Sequence, residues 1–301
     1  MDGTRRRFVV LWLAFVLCLG TGLSAAAGAG ARSAAGVKAR CAASERVSQA
    51  AAGSRLVIVG GGERPAEAMA RFVLWAGGAA SRVLVVPWAS GEPRQSCDAI
   101  LEELRLHAPG ASTCAPFAPL DAQGKAGRLD AASKASFLAE LASSTGVFFT
   151  GGDQARIMDV LDNAELRRAV RERHAQGVVF GGTSAGAAVM SLRTITGDGD
   201  FTVIDGDQVE VREGLGLLPG VIVDQHFVRR QRENRLFGLV LKHPDARGVG
   251  IDEDTAILVT GGRHVEVVGK GVVLLVAAVG KDKLEVTILR PGQSVDLSQR
   301  R

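Results

Sequence analysis

Ser184 lies in Gly182-Thr183-Ser184-Ala185-Gly186, a Gly-x-Ser-x-Gly spacing that can lift a hydroxyl nucleophile out of a sharp strand-to-helix turn. Glycines on both flanks suit that turn, because the serine backbone is strained and neighbouring side chains would clash. The same letters also describe a glycine-rich bend that only packs a helix on a sheet, so Ser184 needs partners to count as a nucleophile. A serine hydroxyl reacts once a base takes its proton, and the chain has five histidines. His107 and His174 fall on expected helices and read as surface or helix-end residues, His243 precedes Pro244, and His264 follows Gly261-Gly262-Arg263 in a hairpin-like turn. His226 differs in following the strand-like Val221-Ile222-Val223, which puts it at a strand end beside Asp224 and Gln225. The third partner is a carboxylate that fixes the imidazole tautomer. Asp252-Glu253-Asp254 ends another short strand, and on extended backbone Glu253 faces away from both aspartates. Periodicity does not choose between those faces, and Asp224 also stays open as the orienting acid.

Those residues must be held by regular elements. Leu56-Val57-Ile58-Val59, Val83-Leu84-Val85-Val86 and Val147-Phe148-Phe149-Thr150 read as buried strands, with helices expected over 66–75, 97–107 and 155–173. Continuous apolar strands alternating with amphipathic helices predict an α/β fold, a three-layer sandwich whose central sheet is mostly parallel, formed by a single domain over 54–301. Sites in such sheets lie at the carboxyl ends of the strands, where the glycine clusters at 60–62, 151–152 and 181–182 all fall. The triple glycine does not complete a dinucleotide fingerprint, and no nucleotide is expected. Asp198, Asp200, Asp205 and Asp207 lie in a turn-rich stretch, 193–216, that lacks the ligand alternation of a calcium loop and reads as loop.

At 301 residues, 47% hydrophobic and 23% charged, the chain can bury a substantial core. Arg5-Arg6-Arg7, an apolar stretch from Phe8 to about Leu23, and small residues around Ser24-Ala25-Ala26-Ala27 have the three parts of a secretory signal peptide over 1–27. Thr4 to Val10 also resembles a twin-arginine signal, so export to the periplasm or beyond is expected. The apolar stretch is short for a retained membrane anchor. Residues 28–53, rich in Ala, Gly, Ser and Arg, read as a flexible linker. The net charge of +4 falls to +2 without residues 1–27, and no basic run is interleaved with aromatics, which argues against a nucleic-acid partner. After cleavage Cys41, Cys97 and Cys114 remain; their spacing fits no zinc motif, and an oxidising compartment would allow one disulfide, with Cys97 and Cys114 as one candidate pair.

Five ordered motifs then carry a resemblance. Gly-Gly-Asp-Gln at 151–154, Gly-Gly-Thr-Ser-Ala-Gly-Ala at 181–187, Gly-Leu-Gly-Leu-Leu-Pro-Gly at 214–220, Asp-Gln-His-Phe at 224–227 and Gly-Ile-Asp-Glu-Asp-Thr-Ala at 250–256 together resemble the cyanophycinases, over about residues 55–285. That family and the related aspartyl dipeptidases are serine exopeptidases on a fold similar to class I glutamine amidotransferases. The resemblance implies Ser184 as nucleophile, His226 as base and Glu253 as orienting acid, with no cofactor and no metal. The order Ser, His, Glu differs from the α/β-hydrolases, where the acid precedes the histidine. Gly152 and Ala185 N–H groups are the candidates for an oxyanion hole.

The resemblance further implies Gln154, Asp224, Gln225, Arg230, Arg232 and Arg235 as substrate-binding positions. Cyanophycin is a poly-aspartate chain with arginine on each side-chain carboxyl, and the product would be the β-aspartyl-arginine dipeptide. Guanidinium groups suit its carboxylates, and acidic groups suit its arginines. On a regular helix from His226, Arg230 would lie about 40° from the histidine, while Arg232 and Arg235 would fall on the far side. Gly62-Glu63-Arg64-Pro65 departs from the more acidic loop associated with many cyanophycinases. The expected partner is cyanophycin or a smaller aspartyl peptide, with homodimerisation a family expectation and no stable membrane association after cleavage. The alternatives are an aspartyl dipeptidase acting on small peptides and a secreted binding protein of the same fold that does not turn over substrate.

Overall fold

Short β-branched runs alternate with amphipathic helices through the first half of the chain. In the computed structural model, which describes residues 53–298, they form β1 (Arg55–Val59), α1 (Ala66–Trp75), β2 (Arg82–Val86), α2 (Pro93–Arg105) and β3 (Ala111–Cys114). The alternation continues through α3 (Ala131–Ser143), β4 (Gly146–Phe149), α4 (Gln154–Leu161), α5 (Ala164–Ala175) and β5 (Val179–Thr183). The expected signal segment, Cys41 and nearly all of the linker lie outside the described residues. Each helix carries the chain back to the same end of the sheet, so β3, β2, β4, β5 and β1 pair in parallel. Successive side chains of β1 enter opposite cores. Leu56 and Ile58 pack with α3, α4 and α5 residues such as Phe137, Ile157 and Val170. Val57 and Val59 pack beneath α1 and α2 against Phe72 and Ile100. This is the expected three-layer arrangement.

The second half departs from pure alternation. It comprises α6 (Ala185–Ala188), β6 (Arg193–Gly199), β7 (Val209–Glu213), β8 (Val221–Gln225), α7 (Glu233–Lys242) and β9 (Arg247–Ile251). It closes with β10 (Thr255–Thr260), β11 (His264–Gly269), β12 (Val273–Gly280), β13 (Lys283–Leu289) and β14 (Ser294–Asp296). The central sheet runs β14-β11-β10-β1-β5-β4-β2-β3, with β10, β11 and β14 antiparallel at one end. A second sheet, β13-β12-β9-β8, was not foreseen in the sequence. Its Val223, Val249 and Val273 join the core that covers one face of the central sheet, and α7 covers its other side through Leu236, Leu239 and Val240.

Several expected elements are redrawn. The helix expected over 155–173 is two helices, parted where the Asn163 side chain accepts the N–H groups of Glu165 and Leu166 and so starts a new one. The turn-rich stretch read as loop contains the β6–β7 hairpin. Among the described residues, no His, Cys, Asp and Glu cluster is arranged for a metal ion, and no helix is long and apolar enough to cross a membrane. Cys97 of α2 and Cys114 of β3 form a disulfide, closing a loop whose entropic contribution is about 3 kcal/mol.

His174 is a correction of a different kind, because it is buried in the last turn of α5 rather than on the surface. Its ring meets Phe180 edge-on, with centroids 5.6 Å apart, and its Nε2 has no hydrogen-bond partner. Burial pushes its pKa down to about 4 from 6.5. The folded state therefore resists a proton that the unfolded chain accepts, and stability is lost as pH falls from the unfolded value towards the folded one. We predict that wild type loses about 2 kcal/mol more than His174→Leu between about pH 7 and about pH 5, measured by urea denaturation at each pH. Parallel pH profiles for the two proteins would refute this.

Candidate active site

β5 ends in the buried elbow that carries Ser184. Its backbone is at φ 52° and ψ −111°, a conformation that side chains rarely adopt. The flanking glycines are required by space, since a Cβ on Gly182 would strike the Gly186 carbonyl and one on Gly186 would strike the Phe149 carbonyl. The helix after the elbow is a single turn, Ala185–Ala188. Ala185 opens it, so its N–H has no intrahelical acceptor.

The residues expected as base and acid arrive from the second sheet. His226 follows β8 and Glu253 follows β9, two strands that pair in parallel and so end together. Ser184 Oγ lies 2.8 Å from His226 Nε2, and His226 Nδ1 lies 2.5 Å from Glu253 Oε1. With the proton on Nδ1 held by the carboxylate, Nε2 is free to accept from the serine. The question of which acid faces the imidazole is resolved by the neighbours: Asp252 Oδ1 accepts the Arg229 N–H at 2.9 Å, and Asp254 Oδ1 accepts the Glu63 N–H at 2.7 Å. Both aspartates fix loops, and Glu253 alone meets His226. Asp224 is directed elsewhere.

The triple glycine is the piece that sequence reasoning left without a role. A Cβ at Gly61 would enter the His226 ring, and one at Gly60 would strike the Asp252 carbonyl. Gly61 also has φ 119°. The signal was visible as a glycine cluster at a strand end, but its partner was unknowable without the second sheet.

The six expected binding residues separate by depth. Asp224 and Arg235 are only 1% and 2% exposed and face each other, with Arg235 Nε 2.7 Å from Asp224 Oδ2 and a second bond from Nη2 to Oδ1. Arg232 donates to the Gln225 carbonyl at 2.7 Å, and burial lowers its pKa to about 10. These groups secure the end of β8, and the expectation that Asp224 and Arg235 meet substrate is corrected accordingly, because the pair leaves them no accessible surface. Gln154 is likewise buried, donating to the carbonyls of Ile195 and Thr196. Gln225 Oε1 lies 3.4 Å from Ser184 Oγ. Arg230 is exposed. The stretch after His226 is not a regular helix: His226 and Gln231 both have positive φ, and α7 begins only at Glu233.

Ser184 and His226 open onto a pocket of about 300 Å³ whose walls include Gly61, Arg64, Ser96, Ile100, Thr150 and Gly151. A larger hollow of about 580 Å³ lies beside β12 and β13 without either residue, so the smaller pocket is the chemical one. Ser96 was not singled out from sequence, and Arg64 entered only as part of the 62–65 stretch, without a site role.

An imidazole between a strained serine and a carboxylate, on a mixed α/β sheet, has the makings of a serine-type hydrolase. The chain belongs to peptidase family S51, whose model matches residues 56–267, and it is a serine-type peptidase. Its relatives include a protein named cyanophycinase from Geminocystis herdmanii (strain PCC 6308), 36% identical over 230 residues that cover 74% of this chain and 80% of the relative. Another cyanophycinase, from Trichormus variabilis (strain ATCC 29413 / PCC 7937), is 45% identical over 139 residues, 46% of this chain and 47% of that one. The crystal structure of a peptidase from an acI-B1 Actinobacterium shares the fold, with TM-score 0.60 and 23% identity, covering 81% of this chain and 96% of that one.

Two predictions follow from this geometry. Gly61→Ala should displace the His226 ring and lower kcat by about 100-fold or more, while a thermal melt still shows a folded protein; unchanged kcat would refute the clash. Burial lowers the His226 pKa, the Glu253 hydrogen bond opposes this, and the Arg230 charge lowers it further. Only neutral imidazole accepts the serine proton, so the acid limb of kcat/KM should lie below about 6.5. Arg230→Gln should move that limb upward; a downward shift would contradict the assignment.

Proposed function

We propose that this chain is a serine exopeptidase of cyanophycinase type that hydrolyses cyanophycin, multi-L-arginyl-poly-L-aspartate, to β-aspartyl-arginine dipeptides. The observation that carries the reading is the continuous hydrogen-bond path from Ser184 through His226 to Glu253, within the region matched to family S51. Ser184 attacks the peptide carbonyl while His226 takes its proton at Nε2. Glu253 holds Nδ1–H and stabilises the imidazolium. His226 then returns the proton to the departing amine, and a water repeats the sequence to free the acyl group. The oxyanion is received by the Gly152 and Ala185 N–H groups, at about 100- to 1000-fold per donor. Arg230, the exposed arginine of the segment after His226, contacts the substrate.

A pocket of about 300 Å³ beside Ser184 has room for about one residue, which supports cleavage at a chain end. The same volume equally suits the second reading, an aspartyl dipeptidase acting on small peptides. Export to the periplasm or the exterior by the twin-arginine route is part of the proposal, and the Cys97–Cys114 disulfide supports an oxidising destination.

The test is incubation of the purified protein with insoluble cyanophycin and chromatography of the released dipeptide. Release is expected from wild type, with Ser184→Ala and Glu253→Gln lower by about 10⁴-fold or more. Small aspartyl peptides cleaved without any release from polymer would favour the dipeptidase. Polymer binding without turnover, together with no labelling of Ser184 by a fluorophosphonate, would favour a binding protein.

A further inference from the structure

The pocket beside Ser184 carries one fixed positive charge. Arg64 lines it together with Ser96 and Ile100, and none of the lining residues is acidic. The guanidinium is held from behind, where Arg64 Nε donates to Glu103 Oε2 on α2. Both side chains are largely covered, at 25% and 18% exposure. That bond uses the inner edge of the guanidinium. Arg64 has no other hydrogen-bond or ion-pair partner among the described residues, so both terminal nitrogens are unclaimed.

A surface ion pair would explain the contact if it lay anywhere else. Here Arg64 forms part of the wall of a pocket that also holds Ser184 and His226, and its bond to Glu103, which lies behind that wall, holds the guanidinium against swinging into solvent. A guanidinium fixed through one nitrogen presents a planar pair of donors, the arrangement that receives a carboxylate through two parallel hydrogen bonds. A neutral amide at the same place would offer one acceptor and no charge. The pocket's volume keeps any group bound by Arg64 within about one residue of the serine.

We propose that Arg64, oriented by Glu103, is a specificity-determining residue that receives a free carboxylate on the residue next to the scissile bond. The inference rests on the peptidase reading above and deepens it: a free carboxylate next to the cut is either an aspartyl one, present only at a chain end, or the arginyl one, present on every unit, and Arg64 selects ends over interior bonds in the first case alone. On β-aspartyl-arginine units the carboxylate is the aspartyl one or the arginyl one, and the chemistry recognised is the same.

The test measures binding apart from turnover. Full-length Ser184→Ala protein is titrated calorimetrically with β-aspartyl-arginine and with its two mono-amides, one blocked at the aspartyl and the other at the arginyl carboxylate. One mono-amide should bind about 10- to 100-fold more weakly than the free dipeptide, and the amide that does so identifies the carboxylate. Adding Arg64→Gln should weaken the free dipeptide by the same factor and leave that mono-amide unchanged, so that the difference disappears. Arg64→Lys should restore part of it. Equal affinities for all three ligands, no measurable binding of any, or a preference that survives Arg64→Gln would overturn the assignment. Failure of wild type to release dipeptide from cyanophycin would sink the proposed activity and leave the binding result standing.

Discussion

Three consecutive carbonyls at the end of β1 hold the site together. Val59 O accepts the Ser184 N–H at 3.0 Å, Gly60 O accepts the His226 N–H at 2.7 Å, and Gly61 O accepts the Asp254 N–H at 2.9 Å, one residue beyond Glu253. Ser184, His226 and Glu253 come from two sheets and three strands, yet each is registered against the same short piece of backbone. Individually such bonds contribute about 1 kcal/mol to stability. Their importance is geometric, because the reacting groups tolerate little displacement. The glycines of this segment follow from the same requirement: the carbonyls can approach His226 and the β9 end only where no Cβ intervenes.

The opposite side of His226 is held by charge. Asp224 and Arg235 are buried as a bidentate pair, and Arg235 also lies over the Phe201 ring, 5.0 Å from its centroid. Burying two ions costs several kcal/mol before their attraction offsets it, so such a pair is a weak contributor to net stability. Its effect is positional, since it fixes Asp224 immediately before Gln225 and His226. Arg232 reinforces the same strand end through the Gln225 carbonyl. Burial first, and then the charges of Arg230 and Arg232, keep the imidazole neutral to lower pH.

The sequence made the central sheet legible because its strands are apolar on both faces and its helices are amphipathic; α1 falls on the expected residues, 66–75. The Gly-x-Ser-x-Gly turn was equally legible, since its chemistry is local. What stayed hidden was long-range. The small sheet is built from strands that resemble ordinary loop-flanked runs, and nothing in their spacing says that β8 and β9 leave the central sheet. The depth of Asp224 and Arg235 was unreadable for the same reason, because a salt-bridged arginine and a substrate-binding one have the same letter. His174 looked like a helix-end polar residue, whereas α5 turns it inward against Phe180.

Ser184, His226 and Asp254 all have positive φ, a conformation that glycine enters more cheaply than any other residue. The three lie at the strand ends that build the site. The backbone would therefore be relaxed by the one residue type that can do no chemistry there. Glycine at 184 or 226 would relax the main chain but remove the side chains that form the hydrogen-bond path to Glu253. The backbone strain at these two positions is thus a cost to folding that the geometry of the site carries.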